Sequence, residues 1–116
     1  MLNTRHKAVL RAILLTAFGS LPSVPVLAGE QTALELGKKV FTEVSEPQCG
    51  LCHMLKHAGS EGEIGPNLDE LQLTVEQIEM AVRGGLGVMP PFEETLSEEQ
   101  IKAVSSYVAE VAGKSE

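Results

Sequence analysis

Two cysteines separated by two residues and followed at once by a histidine, Cys49-Gly50-Leu51-Cys52-His53, are the residues of this chain best spaced for chemistry. Such thiols can add across the two vinyl groups of a haem as thioethers, which sets the adjacent imidazole beneath the iron; the string is the attachment signature of haem c. Within a turn of helix both sulfurs meet the porphyrin edge while His53 points at its centre. Two other meanings are open to the same residues. A bare Cys-x-x-Cys can serve thiol–disulfide exchange, usually in a thioredoxin-like strand and helix pattern, and no convincing strand alternation is visible here. Cys49, Cys52 and His57 could contribute to a zinc site, but structural zinc almost always takes four ligands. Beyond His53, residues 29–116 offer no other cysteine or histidine.

A haem iron held by His53 raises the question of its opposite face. His57 follows by four residues and is expected on the same helix face, hence on the proximal side. Met54 is adjacent to His53 and fails for the same reason, and Met80 reads as packing within an amphipathic helix. Met89 lies in Gly85-Leu86-Gly87-Val88-Met89-Pro90-Pro91-Phe92, a run too rich in glycine and proline for regular structure. Such a loop can follow a flat ligand and hold one side chain at a fixed height, so Met89 is the expected distal ligand, core filling being the plain alternative. A thioether there favours ferrous iron relative to a second histidine.

The second ring nitrogen of His53 needs an acceptor, and the Pro66 carbonyl is the candidate because proline stiffens a loop just beyond the motif. Leu68, Leu86, Val88 and Phe92 are expected to line the pocket or simply to fill core. Arg83 is the base nearest the Met89 loop in sequence; it is assigned either to a haem propionate or to the helix dipole.

The positioning elements read as helices. Thr32-Ala33-Leu34-Glu35 resembles a capping box opening a helix with Ala33, Gly37, Val40, Phe41 and Val44 at helical spacing, which Pro47 ends. A short helix is expected from Cys49 to about His57, then a flexible polar loop from Gly59 to Gly65. Thr74-Val75-Glu76-Gln77 and Ser97-Glu98-Glu99-Gln100 are two further capping boxes, with Leu73/Ile78 and Leu96/Ile101 at staple spacing. Val75, Ile78 and Val82 form one apolar face, stopped by Gly84-Gly85; Ile101, Val104, Val108 and Val111 form another. The predicted fold is all-α, a single compact domain around one haem, with its N- and C-terminal helices crossed.

Residues 1–28 read as a cleaved export signal, with Arg5, Lys7 and Arg11 ahead of an apolar run that Pro22 and Pro25 interrupt before Ala28. The interruption argues against a stable membrane anchor, which needs about 20 apolar residues. Residues 29–116 form the domain. They keep Lys38, Lys39, Lys56, Arg83, Lys102 and Lys114 against all 16 acidic residues. So acidic a surface disfavours nucleic acid and anionic lipid as partners, and suits a protein with a basic patch; solubility alone is the plainer explanation. With Phe41, Phe92 and Tyr107 as its aromatic residues, so small a domain is marginal on its own core, and a haem would add the missing apolar mass.

Taken together, Gly37 and Phe41, Cys49-Gly50-Leu51-Cys52-His53, Gly65-Pro66-Asn67-Leu68, Met89-Pro90 and Tyr107 resemble the small class I c-type cytochromes of bacteria. The resemblance implies terminal helices crossed near Gly37, Phe41 and Tyr107, His53/Met89 coordination, the Pro66 carbonyl on His53 and a partly exposed haem edge. It also implies one-electron transfer, as a soluble periplasmic shuttle or as the haem subunit of a dehydrogenase. The run from Gly50 to Leu71 is similar to the small cytochromes that serve bacterial sulfite dehydrogenases. No lysine-rich face matches the mitochondrial branch. The expectation is an exported monohaem electron carrier rather than an enzyme. The rival is a haem protein with an open sixth site, acting as an enzyme or gas sensor.

Overall fold

A computed structural model describes residues 28–114; the predicted export segment lies outside the described residues, apart from Ala28. The first helix, α1 (Ala28–Lys39), passes directly into a π-helical turn, Val40–Val44, which buries Val40 and Phe41. Its start corrects the expected capping box: Thr32 lies inside α1. Glu30 and Gln31 are good helix formers, and the helix extends back through them to Ala28. The π turn closes with the Ser45 N–H on the Val40 carbonyl at 3.1 Å, ahead of Pro47.

The last two helices follow the sequence closely. Thr74 and Gln77 cap α3 (Val75–Gly84) reciprocally, each side chain taking the other's backbone N–H. Ser97 and Gln100 do the same for α4 (Glu98–Val111). Each pair satisfies two amide donors that a helix start leaves unpaired. Ile78 and Val82 of α3, and Ile101, Val104, Tyr107, Val108 and Val111 of α4, join Val40, Phe41 and Leu55 in one buried cluster.

α1 crosses α4 at Gly37. A Cβ built there would collide with the Ala103 carbonyl oxygen and the Tyr107 Cβ, so the missing side chain permits the backbone approach. Phe41 and Tyr107 pack at a tilt, their centroids 6.2 Å apart. The terminal helices thus form the frame, and α3 packs on α4 beside them.

Between them the expected helix from Cys49 to His57 is corrected. Helix α2 is a single turn, Cys49–Cys52, followed by the two-residue strands β1 (Met54–Leu55) and β2 (Ser60–Glu61), paired antiparallel across a 3-10 turn, Lys56–Ala58. The cause is non-local. Leu55 is driven into the core at 0% exposure, and the Ser60 hydroxyl donates to the His53 and Leu55 carbonyls at 3.0 and 3.3 Å. The backbone is extended at His53 (φ −112°, ψ 132°) and at Leu55 (φ −153°, ψ 104°), which ends the helix.

The Gly59–Gly65 run is therefore not a loose polar loop but a strap over α2. A Cβ on Gly62 would lie 2.6 Å from the Cys52 carbonyl carbon and 2.7 Å from the His53 nitrogen. Beyond the strap, Asp69 ties three segments together. From the 3-10 turn Leu68–Glu70, it accepts the Lys56 N–H at 2.9 Å and the Gly113 N–H at 3.0 Å.

Candidate cofactor site

The helices and the strap enclose an apolar cavity of about 580 Å³, inside the range of roughly 300–1,000 Å³ usual for cofactor and ligand sites. Phe41, Cys49, Cys52, His53, Leu68, Leu71 and Leu73 line it. Ile78, Ala81 and Val82 come from α3, Val104 and Val108 from α4, and Leu86, Val88, Met89, Pro90 and Phe92 from the loop between those helices. The sequence-marked Cys49, Cys52, His53, Pro66, Leu68, Leu86, Val88, Met89 and Phe92 all meet at this one cavity.

His53 is held on two sides. Its Nδ1 lies 2.9 Å from the Pro66 carbonyl, and because a carbonyl can only accept, Nδ1 carries the proton. Of the two ring nitrogens, Nε2 is then the one left to bind a metal. Gly65 lies flat against the ring: a Cβ there would sit 2.5 Å from Cε1. The imidazole is clamped between a glycine and a carbonyl of the same short segment.

Met89 is fixed by the turn that precedes it. Leu86 and Met89 exchange two backbone hydrogen bonds, at 3.1 and 3.0 Å. The turn needs Gly85 at φ 69° and Gly87 at φ 59°, a region that side chains with a Cβ seldom adopt. The Phe92 N–H then returns to the Val82 carbonyl at 2.9 Å, pinning the loop to α3.

Cys49 and Cys52 are free thiols. Burial pushes the Cys49 thiol up, partly opposed by the Ser45 hydroxyl 3.2 Å from its sulfur. Among the described residues no three histidines, cysteines or acids gather as metal ligands, so the zinc alternative finds no ligand set there. The described strands are two residues each, which removes the thioredoxin-like context of the thiol-exchange alternative.

Two sequence readings are corrected here, and a third is narrowed. Arg83 is not among the cavity-lining residues and stands in the last turn of α3, as the dipole alternative has it. Its guanidinium donates to both carboxylate oxygens of Glu98, at 2.6 and 2.8 Å, and to Glu79 at 3.4 Å. The carboxylate of Glu98, fifteen residues away, captures it because α4 begins beside the end of α3. His57 is not on a helix shared with His53: it bonds through Nδ1 to the Tyr107 hydroxyl at 2.9 Å. Met80 is not core packing but a 69% exposed residue at the cavity wall. Its signal was present in the sequence, since position 80 falls between Ile78 and Val82 and off their stripe. Ile64, 72% exposed, lines the same cavity, and the polar composition of its loop carries no signal of that.

Crossed terminal helices around an apolar cavity with paired sulfurs and an oriented imidazole define a helical cofactor-binding domain. Residues 32–108 match the family described as cytochrome C oxidase, cbb3-type, subunit III. The chain is 35% identical over 115 residues to the chloroplastic cytochrome c6 of Chlamydomonas reinhardtii, covering 90% of this chain and 68% of that protein. It is also 35% identical over 85 residues to cytochrome c6 of Euglena gracilis, covering 66% of this chain and 91% of that protein. The solved c-type cytochrome SorU from Sinorhizobium meliloti is 50% identical, with a TM-score of 0.71 over 73% of this chain and 97% of that one. The chain belongs to the c-type cytochromes, as a small class I member. Proteins of this family carry electrons to and from other proteins on covalently bound haem c, and Cys49 and Cys52 occupy the Cys-x-x-Cys-His position. No helix among the described residues is long and apolar enough to cross a membrane.

Proposed function

We propose that this protein is an exported, periplasmic carrier of single electrons, with one haem c bound through Cys49 and Cys52 and ligated by His53 and Met89. The observation that carries the reading is the meeting of both sulfurs, the Pro66-oriented His53 and the turn-held Met89 at one apolar cavity. The bound haem supplies an iron that alternates between ferric and ferrous states. The chain's residues hold that iron in one geometry. The Pro66 carbonyl fixes the His53 tautomer, and the Leu86–Met89 turn sets the height of the thioether. Leu68, Val82, Phe92 and Val104 exclude water from the cavity. Two pre-set ligands leave no position for dioxygen or a substrate, and little rearrangement accompanies each electron.

Exposed Glu61, Glu63, Glu93 and Glu94 border segments that line the cavity and form the proposed docking ring for a basic patch on the partner. The likeness of Gly50–Leu71 to cytochromes that serve sulfite dehydrogenases supports such a dehydrogenase as electron donor, with this chain as its shuttle or haem subunit.

Haem that stays with the polypeptide through acid extraction and denaturing mass spectrometry, at one per chain, is the expected result for protein matured in a cytochrome-assembling host. Extractable haem, or none, would contradict the reading. Prompt carbon monoxide binding by the reduced wild type would favour the open-site rival.

A further inference from the structure

Asp69 is half-buried and uses both carboxylate oxygens on backbone donors. Oδ2 accepts the Lys56 N–H at 2.9 Å and Oδ1 the Gly113 N–H at 3.0 Å. The first of these bonds stands beside the one that orients the imidazole. His53 reaches the Pro66 carbonyl and Lys56 reaches the Asp69 side chain, each across thirteen residues, so the two bonds are rungs between the same pair of segments. Pro66 is exposed and has no N–H of its own, so its carbonyl is placed by what flanks it. On one flank the Gly65 N–H bonds the Cys52 carbonyl at 2.7 Å. On the other, the Asn67 side chain takes the Asp69 N–H at 3.0 Å and the Asn67 carbonyl takes the Glu70 N–H at 3.3 Å. Pro66 to Asp69 thus forms one stiff turn, and the Asp69 carboxylate fastens it to the backbone on either side.

We infer that Asp69 is a positioning residue for the iron ligand: by tying this turn to the backbone beyond His53, it holds the Pro66 carbonyl within hydrogen-bonding reach of Nδ1. The inference rests on the haem c reading above and concerns the haem-loaded protein. Asp69 does not line the cavity, so it acts through Pro66 and His53. A carbonyl that accepts the Nδ1 proton makes the imidazole a stronger donor to iron, and a stronger donor favours the ferric state. Loosening that carbonyl therefore raises the reduction potential. Losing the Asp69 charge raises it too, because a carboxylate stabilises the more positive iron through space. Two variants separate these effects. Asp69→Asn and Asp69→Ala lose the same charge, but only asparagine keeps an oxygen that can accept a backbone N–H.

The test uses haem-loaded protein in the reduced, diamagnetic form. Proton NMR reads the His53 Nδ1–H resonance, which moves upfield as its hydrogen bond lengthens, and the midpoint potential is measured on the same samples. We expect an upfield shift and a raised potential in Asp69→Ala, with Asp69→Asn between it and wild type in both readings. A role confined to stability would lower the unfolding midpoint and leave the native resonance and potential at their wild-type values; that result overturns the inference. Equal shifts in the two variants also overturn it, since they assign the effect to charge alone. If Asp69→Ala does not accumulate with haem, Asp69→Asn decides: an upfield resonance supports the inference and an unmoved one overturns it. In reduced wild type the His53 ring protons carry the large ring-current shifts of an imidazole lying on a haem. Their absence would instead overturn the haem c reading itself.

Discussion

His53 shows how few atoms set the chemistry of the site. A carbonyl 2.9 Å from Nδ1 selects the tautomer, and Gly65 against the ring face selects its plane. Gly65→Ala should force the strap and the imidazole apart, costing about 2 kcal/mol by the usual penalty for overpacking; a denaturant midpoint equal to wild type would refute the contact. Ser105 makes the opposite case. It is fully buried in α4 and its hydroxyl has no hydrogen-bond partner among the described residues. A buried hydroxyl without a partner costs stability that an apolar replacement recovers. Ser105→Ala is therefore expected to raise stability by about 1 kcal/mol, read as a higher denaturation midpoint of the haem-loaded protein. A lower midpoint would mean that the hydroxyl is satisfied in solution.

At the scale of elements, the crossing of α1 and α4 turns on Gly37, where two effects oppose each other. Alanine would gain about 1 kcal/mol of helix propensity, but its Cβ has no space against the Ala103 carbonyl. Overpacking against backbone costs about 1–3 kcal/mol, so Gly37→Ala should destabilise; a stabilised variant would show that the helices part without penalty. The Arg83–Glu98 pair joins the end of α3 to the start of α4. Its hydrogen bonds hold the Glu98 carboxyl below the ordinary value of 4.5 and push Arg83 further up. The stabilisation from Glu98 is therefore present above the unfolded carboxyl value and disappears as pH falls through the folded one. Glu98→Gln should lose stability relative to wild type at neutral pH, and the difference should vanish in acid. A difference independent of pH would exclude the ion pair as its source. The helices were legible because their signals are local: Thr74 with Gln77, Ser97 with Gln100, and apolar stripes of period 3.6. The break after Cys52, the strap at Gly62 and the capture of Arg83 by Glu98 were not, because each depends on residues that meet only after the chain has folded. The ends of the site stood in the sequence as Cys49, Cys52, His53 and Met89; its walls, including Met80 and Ile64, depended on the turns between them.

For the whole molecule, two crossed helices and a capped third enclose a cavity, and a clasp at Asp69 joins the motif side to the end of α4. Six bases against 16 acidic residues over residues 29–116 give this small domain a long-range field that favours a basic partner. Association with that partner should weaken steadily as salt is raised from low concentration, since exposed charges are screened beyond about 8 Å at physiological ionic strength; salt-independent turnover would argue against the acidic docking ring. The proposed closed iron site between His53 and Met89 is read in the far-red spectrum of the ferric protein. A sulfur-to-iron charge-transfer band is expected in the wild type and not in Met89→Ala, with the haem still covalently attached. A wild type without that band, or a band that survives Met89→Ala, would contradict it.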